Sequence, residues 1–184
     1  MTAVRKGATF VAFALASACP GTVAASPEVS TGVTTGFALD GLRAGSVKPA
    51  FALGLRADVL FFREKPRETA FGPYLEVGTL AFDRVDFGGG VSWLVPGMEL
   101  PFVLSAGAFA RGDRVGASPG VVGNLAWGSR SYNFHARYGM TYGLFAEARA
   151  TFAPANGLEA VFGVRIDAMA FALPFVFLVE AVRH

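Results

Sequence analysis

Any catalysis or metal binding in this chain has to start from very few residues: two histidines, His135 and His184, and a single cysteine, Cys19. A tetrahedral metal centre takes three or four nitrogen or sulfur ligands, so a His/Cys cluster cannot be assembled and neither a metal nor another cofactor is expected. No Gly-x-Ser-x-Gly elbow is present, and Gly88, Gly89 and Gly90 are not followed by the Lys-Ser or Lys-Thr of a phosphate-binding loop. Small residues where a strand bends are the simpler reading of that triplet. His135 is the best candidate general base, and Asn133, Arg137, Glu147 and Arg149 are the polar residues that an alternating pattern would bring to its side.

The remaining charged residues recur at alternate positions, which makes them one face of strands. In the expected strand 29–40 the odd positions read Val29, Thr31, Val33, Thr35, Phe37, Leu39, against Ser30, Gly32, Thr34, Gly36, Ala38, Asp40. In 50–63, Phe51, Leu53, Leu55, Val59 and Phe61 alternate with Ala52, Gly54, Arg56 and Asp58. Segment 71–82 puts Glu76 in the row of Tyr74, Gly78, Leu80 and Phe82, and 85–95 ends at the turn signal Pro96, Gly97. Strands follow at 102–111, carrying Arg111, and at 121–130, carrying Arg130. The longest alternation is 135–152, with His135, Arg137, Glu147 and Arg149 opposite Tyr138, Tyr142, Leu144 and Ala146. In 158–167, Glu159, Arg165 and Asp167 oppose Leu158, Phe162, Val164 and Ile166.

Segments so spaced predict an all-β fold: an antiparallel up-and-down transmembrane barrel of about eight strands, with ten also compatible. The longest connections are expected at 40–48 and 112–120. Residues 170–184 are continuously apolar over 171–179 and admit two assignments. One is a short helix opened by Pro174; the other is an extra strand closing the barrel against the first.

At the N-terminus Arg5 and Lys6 precede an apolar run over 8–18, then Pro20, Gly21 and the small residues Val23, Ala24 and Ala25. That order is a secretory signal peptide over 1–25, cut near Ala25, and leaves one domain over 26–184. Leu15 to Cys19 also has a loose likeness to a lipoprotein processing site that would acylate Cys19. One cysteine allows no intramolecular disulfide. The net charge of +2 comes from 16 basic and 14 acidic residues. Arg5 and Lys6 account for the whole excess, so the mature part is neutral and nucleic acid is not an expected partner.

A barrel in lipid turns its bulky row outward and its small or charged row inward. The expected lumen therefore collects Arg56, Arg111, Arg130, Arg137, Arg149 and Arg165 against Asp58, Glu76, Glu147, Glu159 and Asp167, with His135 at the rim. Eight strands enclose a space just wide enough to be filled by side chains, so these charges must pair and no open channel is expected. A soluble lipocalin-like calyx carrying an apolar ligand would put the bulky row inside instead.

The signal peptide, the Gly-rich alternating strands and the balanced Arg/Glu lumen make the mature chain resemble the OmpA/OmpX class of small outer-membrane barrels. The resemblance is architectural, spans nearly all of the mature chain and departs at the end. The terminal aromatic residue of that class is replaced by Ala181, Val182, Arg183 and His184. It implies a non-enzymatic envelope protein in the Gram-negative outer membrane, in contact with lipid and lipopolysaccharide and inserted by the barrel-assembly machinery. The alternative is a lipid-modifying enzyme. Outer-membrane lipid A deacylases carry His-x-Ser on a strand, whereas His135 here is followed by Ala136 and Arg137, so the nucleophile is missing.

Overall fold

A computed structural model describes residues 27–62, 68–96, 100, 102–113, 116–129, 142–152, 157–168, 178–179 and 181–182. Its strands are β1 (Glu28–Asp40), β2 (Lys48–Leu60), β3 (Ala70–Leu80), β4 (Arg84–Val95), β5 (Phe102–Asp113), β6 (Gly116–Ser129), β7 (Tyr142–Thr151) and β8 (Leu158–Asp167). A short 3-10 turn, Leu42–Ala44, lies between β1 and β2. Each strand pairs antiparallel with the next and β8 pairs with β1, giving a closed eight-stranded barrel in simple up-and-down order.

Closure is set by register. Paired residues lead from Gly32 to Arg56, Glu76, Gly88, Phe109, Gly120 and Thr151. Carrying the offsets of the last two ladders onward returns to β1 about ten residues from Gly32, a stagger that tilts eight strands by roughly 40°. The β1–β8 seam needs bare backbone. A Cβ on Gly36 would lie 2.0 Å from the Phe162 carbonyl oxygen, and one on its partner Gly163 would lie 2.1 Å from that of Thr35.

The two rows separate as their chemistry dictates. Phe37, Leu55, Leu75, Phe87, Val91, Trp127, Leu144 and Phe162 point out and are exposed, while Arg56, Asp58, Asp86, Arg111, Glu147, Glu159 and Arg165 point in and are buried. No outward position of the eight strands carries Asp, Glu, Lys or Arg. This is the reverse of a calyx, whose bulky row lines the interior.

Several expected boundaries are corrected. Segment 71–82 stops as a strand at Leu80, because Ala81 and Phe82 both take positive φ (51° and 61°) and form the central pair of a tight turn. Asp83 N donates to the Leu80 carbonyl to close it. Most of the loop expected at 112–120 is strand: β5 and β6 pair as far as Asp113 and Gly116, with Ser118, Pro119 and Gly120 inside β6, and 114–115 lie outside the described residues. Pro119 is tolerated because its carbonyl accepts from Phe152 N. Its nitrogen faces that same side, beyond the last β6–β7 pair, where no ladder donor is required.

Residues 130–141, between β6 and β7 in the chain, lie outside the described residues, and with them 135–141 of the expected strand 135–152. The extra strand against β1 is excluded, since β2 and β8 occupy both its edges, and ten strands are likewise excluded. Within the C-terminal stretch, Leu178, Val179, Ala181 and Val182 are described, and their backbone is helical. Among the described residues no helix is long and apolar enough to cross a membrane, which bears on helices alone.

Candidate functional site: the ion-paired lumen

The lumen is built in levels. Below, where β1 begins and β8 ends, lie Leu60, Ala70, Leu94 and Val103, with Ala126 packed against them. Alternation places each on the inward row near the lower ends of β2 to β6.

The next level is organised by Arg56 and Asp58, two residues apart on β2 and therefore on the same face. Arg56 Nη2 donates to Asp58 Oδ1 at 3.0 Å, to Ser92 Oγ at 2.8 Å and to Ser105 Oγ at 2.6 Å. Ser92 Oγ in turn donates to Asp58 Oδ1 at 2.7 Å. The guanidinium lies over the Tyr74 ring, 3.7 Å from its centroid. Arg165 on β8, on the far side of β1 from β2, approaches Asp58 at 3.6 Å.

Arg149 is the hub of the middle level. Its Nε donates to Glu147 Oε1, its Nη1 to Asp86 Oδ2 at 2.6 Å and its Nη2 to Glu76 Oε1 at 2.8 Å. Asn124 Nδ2 donates to the second oxygen of Glu147 at 2.9 Å. Glu76 also faces Arg56 Nη1, at 3.5 Å, which links this level to the one below.

Above, Arg111 holds two carboxylates at once. It forks onto Asp86 through Nε and Nη2, both at 2.7 Å, and onto Glu159 through Nη1 and Nη2. Arg84 completes the level by donating to Asp40 at 2.8 Å and to Glu159 at 3.4 Å. Phe109 fills the space between the upper two levels, with the Arg111 and Arg149 guanidinium groups 5.5 and 5.8 Å from its ring centroid.

The wall formed by β1, β2, β3, β7 and β8 contributes an apolar strip of Ala38, Ala52, Leu80, Phe145 and Val161. Among the described residues, the spaces beside Glu76 and Arg149 are small, about 10 Å³ each. That is roughly the room of one water molecule and far below the size of an organic substrate.

Of the expected lumen residues, Arg56, Asp58, Glu76, Arg111, Glu147, Arg149, Glu159 and Arg165 all lie in this network, and Asp167 occupies the same inward row at the lower end of β8. Arg130, His135 and Arg137 lie outside the described residues, as does Asn133. Of the cluster expected around His135, the structure joins Glu147 to Arg149.

Asp86, Arg84 and Asp40 belong to the network as well, and sequence reading did not single them out as site residues. The signal for Asp86 was available: counting back by twos along the row of Ser92, Gly90 and Gly88 reaches it. Ser92, Ser105 and Asn124 look like filler in a sequence, yet they supply uncharged partners: Ser92 and Ser105 to Arg56, Ser92 to Asp58, and Asn124 to Glu147.

Chemically the arrangement fixes charges and does not present them. Asp58, Asp86, Glu147 and Glu159 are each held by arginine or amide donors and are buried. Among the described residues no group of three or more His, Cys, Asp or Glu is arranged to hold a metal ion. The site defines a class by geometry alone, a closed antiparallel barrel plugged by its own ion pairs. Comparison with protein-family models, curated proteins and solved structures finds no match for the chain.

Proposed function

We propose that this chain is exported by its first 25 residues and that its barrel spans the outer membrane of a Gram-negative envelope as a non-enzymatic protein of envelope structure or surface interaction. The observation that carries the reading is the charge-free outward row of all eight strands. Water penalises so large a contiguous apolar surface, whereas acyl chains match it.

Two further features support it. Strands of 10 to 14 residues, tilted as the register requires, rise ~25 Å or more, the height of the apolar band of an outer-membrane barrel. The outward aromatics with polar edges, Trp93, Trp127 and Tyr142, stand at the lower ends of β4, β6 and β7, where Phe71 stacks on Trp93 at 6.0 Å. Such a belt suits the lipid headgroup level.

On this reading the partners are outer-membrane lipid and lipopolysaccharide outside, the barrel-assembly machinery during insertion, and none in the lumen. The non-enzymatic part rests on a lumen whose carboxylates are engaged and whose spaces beside Glu76 and Arg149 are too small for substrate. Gel mobility with and without boiling tests the membrane reading: folded protein in detergent runs at a different apparent mass until heated, and cell fractionation recovers it with outer membranes. Refolding of residues 26–184 to a soluble monomer without detergent would overturn it. Replacement of His135 by Ala is expected to leave the lipid A mass spectrum unchanged.

A further inference from the structure

The chain leaves the barrel on its outer side. β8 ends at Asp167, and the next residue, Ala168, already has helical backbone. The barrel is closed, so no strand edge is open to the segment that follows. Ala168 lines a shallow groove on the outer wall together with Thr31, Leu55, Ala57, Leu75 and Val77, outward residues of β1, β2 and β3. The exit point also has a depth. Ile166, just before it, is the ladder partner of Tyr142, one of the polar-edged aromatics at the lower ends of the strands.

Where the chain is next described, Leu178, Val179, Ala181 and Val182 are helical and all exposed. Leu178, Val179 and Val182 keep 63%, 53% and 80% of their surface accessible, so the barrel leaves them largely uncovered. A helical period gathers these three on one side of the axis and sets Glu180 on the other. The link from Ala168 to Leu178 reaches at most roughly 35 Å even when fully extended, which keeps the helix near the rim it leaves.

A helix with one bare apolar side is stable where water meets acyl chains, its apolar side chains sunk into the headgroup boundary and its polar side wet. The chain leaves through the barrel's bulky outer row, at the level of Tyr142, so the surface continuous with that row is lipid. We infer that the C-terminal helix bearing Leu178, Val179 and Val182 is an interfacial anchor, lying at the lipid headgroup level beside the lower rim with those side chains toward the acyl region and Glu180 toward water. The anchor presupposes the bilayer of the proposed function.

Fluorescence quenching tests it in the full chain carrying Cys19→Ala, with one introduced thiol bearing a small environment-sensitive dye. The sites are Leu178→Cys, Val182→Cys and Glu180→Cys, and the barrel is refolded into vesicles of phosphatidylcholine and phosphatidylglycerol. Quenching by aqueous iodide should be about threefold or more weaker at 178 and 182 than at 180. Lipid spin-labelled near the headgroup should quench 178 and 182 more than lipid spin-labelled at the chain end. Val179→Cys replaces Leu178→Cys if that variant loses its heat-modifiable gel band.

The anchor is overturned if iodide reaches 178 and 182 as readily as 180. It is equally overturned if both are shielded from iodide and from spin-labelled lipid, because protein, either the barrel wall or a second copy, then covers them. A dye at outward Leu125→Cys reports on the barrel separately. Strong quenching there by lipid spin-labelled at the chain end, with 178 and 182 open to iodide, removes the anchor and keeps the membrane reading; no lipid quenching at 125 removes the membrane reading itself.

Discussion

Arg149 on β7 places its Nη2 2.8 Å from Oε1 of Glu76 on β3, a contact that spans the lumen between strands four apart in the barrel order. The pair acts as a strut: one guanidinium satisfies Glu76, Asp86 and Glu147, carboxylates from three strands. Removing it leaves three buried anions short of a partner, whereas neutralising one anion leaves the cation two others. Arg149→Met is therefore expected to cost about 3–5 kcal/mol of folding stability, and Glu76→Gln distinctly less. Urea unfolding of the refolded barrel, followed by tryptophan fluorescence, measures both. Equal losses would show that Arg149 is not the shared strut.

The β1–β8 seam closes the barrel through Gly36 and Gly163, each already within about 2 Å of the other strand's carbonyl oxygen once a Cβ is drawn. Neither strand can yield, because β1 is held by β2 and β8 by β7. Gly163→Val should prevent closure and abolish the heat-modifiable band. Gly123→Ala, at a position where a Cβ meets nothing within 4 Å, should leave that band intact.

The Ala81–Phe82 turn holds two non-glycine residues at positive φ, offset in part by Phe82 stacking on Phe51 at 5.7 Å and by Ala81 N donating to the Phe51 carbonyl at 2.8 Å. Turns with positive φ at both central residues favour Asn-Gly. The combined change Ala81→Asn and Phe82→Gly relieves the backbone but gives up the stack, so the expected net gain is about 1 kcal/mol. A higher urea midpoint with an unchanged slope is the predicted outcome; a lower midpoint would show that the stack outweighs the strain.

How far the sequence revealed this barrel depended on whether side-chain type or backbone geometry made the decision. Arg56 and Asp58 were legible as lumen residues because a strand alternates strictly and their opposite row is Leu53, Leu55 and Val59. The Ala81–Phe82 turn was not, since neither residue carries a turn signal and both continue the alternation of β3. Ser118, Pro119 and Gly120 misled in the other direction. Each marks turns in general, but here the strand runs past the end of its neighbour, where a missing N–H costs nothing. Pairing partners across the lumen, such as Arg111 with Glu159, follow from the shear of the barrel, which no local pattern encodes.

The outward surface gives the sharpest contrast between lipid and water. Phe162 stands at the middle of β8 and Leu158 at its upper end, both pointing away from the lumen. In a bilayer, arginine at mid-depth costs about 2–4 kcal/mol and near the interface about 0–1 kcal/mol. Phe162→Arg should accordingly destabilise the barrel refolded into liposomes far more than Leu158→Arg. On a water-facing wall both substitutions would be nearly neutral, because an exposed guanidinium stays hydrated. Unfolding midpoints of the two variants in liposomes decide the matter, and near-equal midpoints would count against a bilayer around β8.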